Sequence, residues 1–128
     1  MKTKICIVVS KFNGDITAQI QDSAVYKLKD KGIKDKYLKV IYVEGAFEIP
    51  YAISKLIKKY DGFIAVGCII KGETPNFDFI SQAITNGIIT CLNRKQALER
   101  ADPMKKNKGG EAAKAALSVL GILNEDKR

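Results

Sequence analysis

The sequence predicts an α/β domain, residues 1–128, in which a parallel sheet is held between two layers of helices. Two kinds of stretch alternate along the chain. The first is short, apolar and rich in β-branched residues. Gly62 to Ile70 is the clearest, nearly continuous in its apolar character, as a strand buried on both faces must be. The second repeats apolar residues every four positions, as Ile16, Ile20, Ala24 and Leu28 do, giving a helix one stripe to bury. Connections between them are short, so successive βα units wind on in one sheet.

Taken in order, Thr3 to Ser10 is the first strand by its Ile, Val and Cys content, and it stops at the turn Lys11-Phe12-Asn13-Gly14. Asp15 is expected to cap a helix that runs to about Lys31, with Gly32 as its stop. Tyr37 to Val43 is the second strand. Glu44 to Pro50 opens the next helix, which runs to about Lys59 and shows Ile53, Leu56 and Ile57 to the core; Pro50 fits early helical positions, which lack amide partners. Gly62 to Ile70 is the third strand. Phe77 to about Thr85 reads as a short helix, Asn86 to about Cys91 as a fourth strand and Asn93 to Ala101 as a helix. The last helix, roughly Gly109 to Leu123, places Ala113, Ala116, Leu117 and Leu120 on one face, and the charged tail Asn124 to Arg128 is expected to fray. This order is that of a flavodoxin-like three-layer α/β/α sandwich with a four-stranded parallel sheet.

Open sheets of this class collect ligands beyond the carboxyl ends of their strands. Three stretches fall there. Lys71 to Asp78 follows the third strand with polar groups in quick succession, although Gly, Thr, Pro and Asn in a row are equally ordinary turn chemistry. Phe12 is either a local packing plug or a ring able to stack on a flat heterocycle. Glu48 is either a carboxylate favoured by the helix dipole or an acceptor for ligand hydroxyls.

Composition narrows the chemistry further. With 46% apolar and 28% charged residues the chain is a soluble globular protein, and the start Met1-Lys2-Thr3-Lys4 leads into a strand without a signal peptide or membrane span, so the cytoplasm is expected. Cys6, Cys68 and Cys91 lie far apart in apolar settings, as buried free thiols would in a reducing compartment. The absence of histidine rules out a Ser-His-Asp or Cys-His arrangement, a His-ligated metal and an imidazole base. A formal charge of +8 invites a nucleic-acid reading, but the lysines recur on polar faces of predicted helices (Lys27, Lys29, Lys31; Lys55, Lys58, Lys59) without an aromatic-studded recognition strand. A solvated basic surface that attracts small anions is the expectation, with no nucleic acid, membrane, metal or organic cofactor.

Four blocks in order carry a resemblance that covers nearly the whole chain: Lys11-Phe12-Asn13 with Ile16-Thr17, Gly45-Ala46-Phe47-Glu48-Ile49-Pro50, Gly67 to Asp78, and Gln96-Ala97-Leu98-Glu99-Arg100-Ala101 followed by Asn107-Lys108-Gly109. Together they resemble the lumazine synthase (6,7-dimethyl-8-ribityllumazine synthase) family of riboflavin biosynthesis. The resemblance implies condensation of 5-amino-6-(D-ribitylamino)uracil with 3,4-dihydroxy-2-butanone 4-phosphate, with loss of phosphate and water. It also implies that Phe12 stacks on the pyrimidine, that Ala46, Phe47 and Glu48 hold the ribityl chain, and that Cys68, Ile69 and Ile70 line the ring pocket with backbone groups. Glu73 and Thr74 would meet the phosphate side, and Arg100, from a neighbouring subunit, would bind the phosphate as a charged fork. Sites of this family lie between subunits of a homopentamer, sometimes built into a larger shell. Read by residue type alone, Arg100 is a surface partner of a nearby acid.

The chain departs from the family pattern twice. Asn76 stands where the family places its proton-shuttling histidine, and an amide hydrogen-bonds but does not transfer protons near neutral pH. Between Asn76 and Arg100 the chain is about fifteen residues short of the family spacing, about 22 Å if all helical, so one crossover is shortened. Ile84 to Ile88 then reads either as the end of the helix after Asp78 or as the strand before Gln96; in the strand reading Asn86 takes the place of an aromatic that helps enclose the uracil. The sequence thus supports an active or weakened lumazine synthase, or a non-catalytic ligand-binding or shell-forming relative. A flavodoxin-like module for an anionic nucleotide lacks its Gly-x-Gly-x-x-Gly fingerprint.

Overall fold

Strand β1 (Ile5–Ser10) is buried along its whole length, as a strand must be when neighbours flank both edges and helices cover both faces. The computed structural model describes residues 2–70, 88–91 and 94–120. Within them β2 (Leu38–Val43) pairs with one edge of β1 and β3 (Gly62–Ile70) with the other, and β4 (Ile88–Cys91) lies beyond β3. All pairings are parallel, giving one four-stranded sheet in the order β2-β1-β3-β4. Ile5 through Val9 pair with Gly62 through Val66, whereas Gly67 through Ile70 pair with Ile88 through Cys91. The last four residues of β3 therefore project past its ladder with β1.

Side-chain alternation divides the core into two layers. Ile5, Ile7 and Val9, with Ile64, Val66, Cys68 and Ile70, face a cluster built by α1 (Gly14–Asp30), α3 (Arg94–Ala101) and α4 (Lys108–Val119). Cys6, Val8 and Ile69 point the other way, onto Ala46 and Ile49 at the start of α2 (Ile49–Leu56). Each fully buried isoleucine or leucine contributes about 1.5–3 kcal/mol by leaving water, so the stripe Ile16, Ile20 and Leu28 is a main reason that α1 stays docked.

Helix ends follow local chemistry. Gly32 sits at φ 100°, the Gly32 N–H donates to the Lys29 carbonyl at 3.0 Å and the Ile33 N–H to the Leu28 carbonyl at 3.0 Å. This is a complete left-handed stop, closed by buried Ile33 against Leu28, and it bears out the glycine signal in the sequence. At the other end the expectation for Asp15 is corrected. The residue preceding α1 is Asn13, in the left-handed region at φ 59°, and Asp15 lies in the first turn, ion-paired with Arg94. Asn13 is suited to that backbone because its short amide tolerates it.

Other boundaries shift slightly. β1 starts at Ile5, Asp35–Tyr37 form a 3-10 turn before β2, and α2 ends at Leu56. Ile57 consequently points to solvent, 57% exposed, because the helical stripe that carries Ile53 and Leu56 inward stops one residue earlier. The expected helix from Phe77 to Thr85, Asn86, and the tail beyond Leu120 lie outside the described residues.

Cys6 and Cys68 are buried free thiols. Burial pushes the Cys6 thiol up from 9.0 to about 11, against a smaller opposing pull from the Lys39 ammonium. Above pH 9 the unfolded chain gives up a proton that the folded chain keeps, so stability falls as pH rises from about 9 toward 11. The urea midpoint is expected to drop further over that window in the parent protein than in Cys6→Val, which removes the titrating group at similar volume. Parallel midpoints for the two would contradict it.

Candidate active site

The chain direction reverses its lateral course at β1: β1 leads to β2 on one side, and β3 leads on toward β4 on the other. In open α/β sheets such a switch point is where ligands bind, in the crevice outside the carboxyl ends of the strands. Here the last four residues of β3, Gly67 through Ile70, run on past its ladder with β1.

Three connections converge on this carboxyl edge. After β1 the Lys11 N–H donates to the Val43 carbonyl at 2.8 Å and the Phe12 N–H to the Glu44 carbonyl at 3.1 Å, so the β1 turn is stitched to the end of β2. The chain then turns sharply at Asn13. With the backbone at φ 59°, the Asn13 side chain reaches across the switch point, where its Nδ2 donates to the Cys68 carbonyl at 3.2 Å. The Thr17 hydroxyl donates to the Ser10 carbonyl at 3.0 Å and locks the first turn of α1 under the same edge. Phe12, held between these anchors, is 45% exposed at the same edge.

The second connection is compact. Ala46–Glu48 form a 3-10 turn in which the Glu48 N–H donates to the Gly45 carbonyl at 3.2 Å. The Glu48 carboxylate folds back over Gly45, where a Cβ would meet its Oε1 at 3.4 Å. Ala46 is buried against the α2 side of the core, and Phe47 on the same turn is 54% exposed. Ala46 thus pins the turn while Phe47 and Glu48 stand outward.

The third connection begins at the end of β3. Cys68 and Ile70 bury their side chains toward α1 and Ile69 buries its own toward α2, so what these residues offer at the edge is backbone. Glu73, Thr74, Asn76 and Asn86 lie outside the described residues. Arg100 stands half-buried near the end of α3, one residue before buried Ala101.

Two features carried no signal in the sequence reading. Asn13 belonged to a recognised block without a role; its left-handed backbone and its bond to Cys68 make it the clasp of the switch point. Ser10 ends β1 with a side chain 1% exposed, and its Oγ finds no hydrogen-bond partner among the described residues. The clasp has a measurable consequence. Asn13→Ala loses the amide bond and forces alanine into the left-handed region, at a cost of about 1–2 kcal/mol. Asn13→Gly recovers the backbone share alone, so urea unfolding should rank the parent above glycine and glycine above alanine.

Comparison with known proteins follows the same blocks. The family model described as 6,7-dimethyl-8-ribityllumazine synthase matches residues 2–89 and again residues 81–124. This chain belongs to that family. A relative from Helicobacter acinonychis (strain Sheeba), named 6,7-dimethyl-8-ribityllumazine synthase, is 37% identical over 93% of this chain and 87% of its own length. Relatives of the same name from Kosmotoga olearia and Novosphingobium aromaticivorans are 38% and 40% identical over 93% of this chain, covering 87% and 95% of their own lengths.

The two family matches overlap at residues 81–89, which are claimed both as the end of one portion and as the beginning of the next. An alignment of 136 positions against a chain of 128 residues likewise requires gaps in this chain. Both agree with the shortening between Asn76 and Arg100 and with the double reading of Ile84 to Ile88. The structure decides the last of those residues: Ile88 begins β4 and pairs with Gly67.

Proposed function

We propose that this chain condenses 5-amino-6-(D-ribitylamino)uracil with 3,4-dihydroxy-2-butanone 4-phosphate to 6,7-dimethyl-8-ribityllumazine, at the switch point between β1 and β3. The observation that carries the reading is the clasp from Asn13 to the Cys68 carbonyl, which brings the Phe12 turn against the end of β3 in a member of this family. An exposed ring beside the end of β3 suits a flat pyrimidine: Phe12 stacks on its face and backbone groups of Cys68, Ile69 and Ile70 meet its edge. Glu48, with Ala46 and Phe47 on the same turn, takes the ribityl hydroxyls, the carboxylate accepting from them. Glu73 and Thr74 receive the phosphate side, and Asn86 borders the ring.

Arg100 completes the phosphate site of a neighbouring copy. The pair of Arg94 with Asp15 marks the carboxyl edge of its own chain, and Arg100 lies six residues further along α3, about 9 Å down the helix axis. We infer from this offset and from the family resemblance that Arg100 serves another subunit and that the protein works as a homo-oligomer, a pentamer or a shell of pentamers. Among the described residues no helix is long and apolar enough to cross a membrane, and the free thiols suit a reducing cytoplasm.

Asn76 favours a second reading, a relative that binds ribitylated pyrimidines without turnover, because the side chain cannot shuttle a proton. Incubation with both substrates, followed by the absorbance of the lumazine, separates the two. Product above the uncatalysed rate supports the synthase; tight binding of a ribityl-pyrimidine analogue without product supports the second reading. Subunit mixing tests the shared site. Glu48→Ala and Arg100→Ala, each defective alone, should regain about a quarter of the parent activity when unfolded and refolded together, since random partnering restores that share of sites. A monomer by light scattering would refute it.

A further inference from the structure

The end of the sheet opposite the active site holds a second concavity, about 500 Å³, lined by Lys4, Lys36, Lys39, Lys58 and Lys59 around Tyr37, Leu38 and Tyr60. Its lysines come from three separate segments: the residue that leads into β1, the 3-10 turn and first residues of β2, and the turn that follows α2. The positive charge expected to be spread over polar helix faces is therefore gathered in part at the amino edge, the length of β1 away from the crevice, about 20 Å.

Like charges brought together repel, and a fold tolerates this where neighbouring acids compensate or a ligand does. No ion pair among the described residues ties these lysines to an acid: the pairs join Lys11 with Glu44, Lys29 with Asp35, Arg94 with Asp15 and Lys108 with Glu111. Asp61, the nearest acid in sequence to Lys58 and Lys59, accepts from the Lys4 backbone N–H at 2.8 Å. The dipole at the end of α2 accounts for Lys58 and Lys59, which follow its last turn, but not for Lys4, Lys36 or Lys39. Nor does a contact with another copy suit the pocket, because burying five unpaired ammonium groups is costly.

We propose that this pocket binds a short phosphate chain, of the kind found in a nucleoside triphosphate or in inorganic tripolyphosphate. Volume and chemistry agree. Ammonium groups are mobile point charges that wrap a flexible phosphate chain without demanding one geometry. The floor is half-buried and partly aromatic: Tyr60 packs edge-on to Phe63 with ring centroids 5.8 Å apart, and Lys36 lies over Tyr37 at 5.2 Å. The concave shape, as opposed to a long basic stripe, favours a compact polyanion over an extended nucleic-acid backbone.

Titration calorimetry of the intact protein with tripolyphosphate at 0.15 M salt (roughly physiological ionic strength) should show one saturable site per subunit. The triple variant Lys36→Gln, Lys39→Gln, Lys58→Gln is expected to weaken it about tenfold or more. A control triple with the same charge loss, Lys27→Gln, Lys31→Gln, Lys114→Gln, should change it less than threefold, and circular dichroism of both should match the parent. Equal weakening in the two triples, or no saturable binding, would overturn the proposal, because the attraction would then be that of net charge alone. Tighter capture of a single-stranded oligonucleotide than of tripolyphosphate would overturn it as well. ATP and tripolyphosphate separate the two sources: equal affinity means that the phosphate chain alone is read, and tighter ATP binding that a tyrosine ring also takes the base. None of these variants touches the carboxyl edge, so the result stands apart from that of the lumazine assay.

Discussion

Replacing Asn76 by histidine raises the rate of lumazine formation by about 10²-fold or more over a slow but measurable parent. Joining an amine to a ketone and expelling phosphate and water moves protons at several steps. The chain contains no histidine, so the parent must leave those transfers to water, a carboxylate, a lysine or a tyrosine. Orientation still operates without a proton shuttle: holding two reactants together can remove roughly 7–11 kcal/mol of the barrier, more than acid–base help supplies. The parent should therefore be slow, not dead. Histidine adds the missing carrier, and the rate should gain an inflection near pH ~6.5 that the parent lacks, with KM expected to change little because an amide and an imidazole can both hydrogen-bond a substrate. An unaltered rate and an unaltered pH profile would trace the defect to the shortened stretch before Arg100 and leave the binding-only reading standing.

The same contrast between local and distributed information explains what could be read from the sequence. Element types were legible where one period dominates over enough residues: the stripe of α1, the six buried positions of β1 and the glycine stop at Gly32 each follow from a local rule. The flavodoxin-like sheet followed from these, and the four-stranded order bears it out. Cap identity at α1 was not legible, because Asp15 and Asn13 are both plausible caps, and the choice is made by the Cys68 carbonyl, 55 residues away in sequence. Pairing across the sheet is likewise not local, so neither the overhang of β3 past β1 nor the clasp that bridges it left a mark on the sequence pattern. The gathering of five lysines at the amino edge has the same cause: three segments, each unremarkable alone, meet only when the strands are in register.

Gly109→Ala is expected to destabilise the protein by about 2–4 kcal/mol and lower its melting temperature by roughly 10 °C. A Cβ at Gly109 would stand 2.2 Å from the Ile20 carbonyl oxygen and 3.0 Å from the Ser23 Cβ, in the seam where α4 crosses α1. Backbone in the middle of a helix cannot step aside. The helices must separate, and that loosens Ala113 and Leu117 from the stripe they share with Ile20 and Ala24. The gain of about 1 kcal/mol in helix propensity recovers only part of the loss. Two neighbouring tests isolate the cause. Gly110→Ala meets only the Asn107 side chain, which accepts from the Gly110 N–H and can swing away, so its cost should be about 1 kcal/mol, that of a lost cap. Gly14→Ala meets nothing within 4 Å and should be neutral or slightly stabilising. The seam also explains why Asn107-Lys108-Gly109 stands among the family blocks although none of its residues was assigned to substrate. Gly109 sets how closely α4 presses α1, and α1 begins just after Asn13, whose amide closes the switch point. A Gly109→Ala protein that kept both its melting temperature and its lumazine rate would show that α4 does not hold α1 against the crevice.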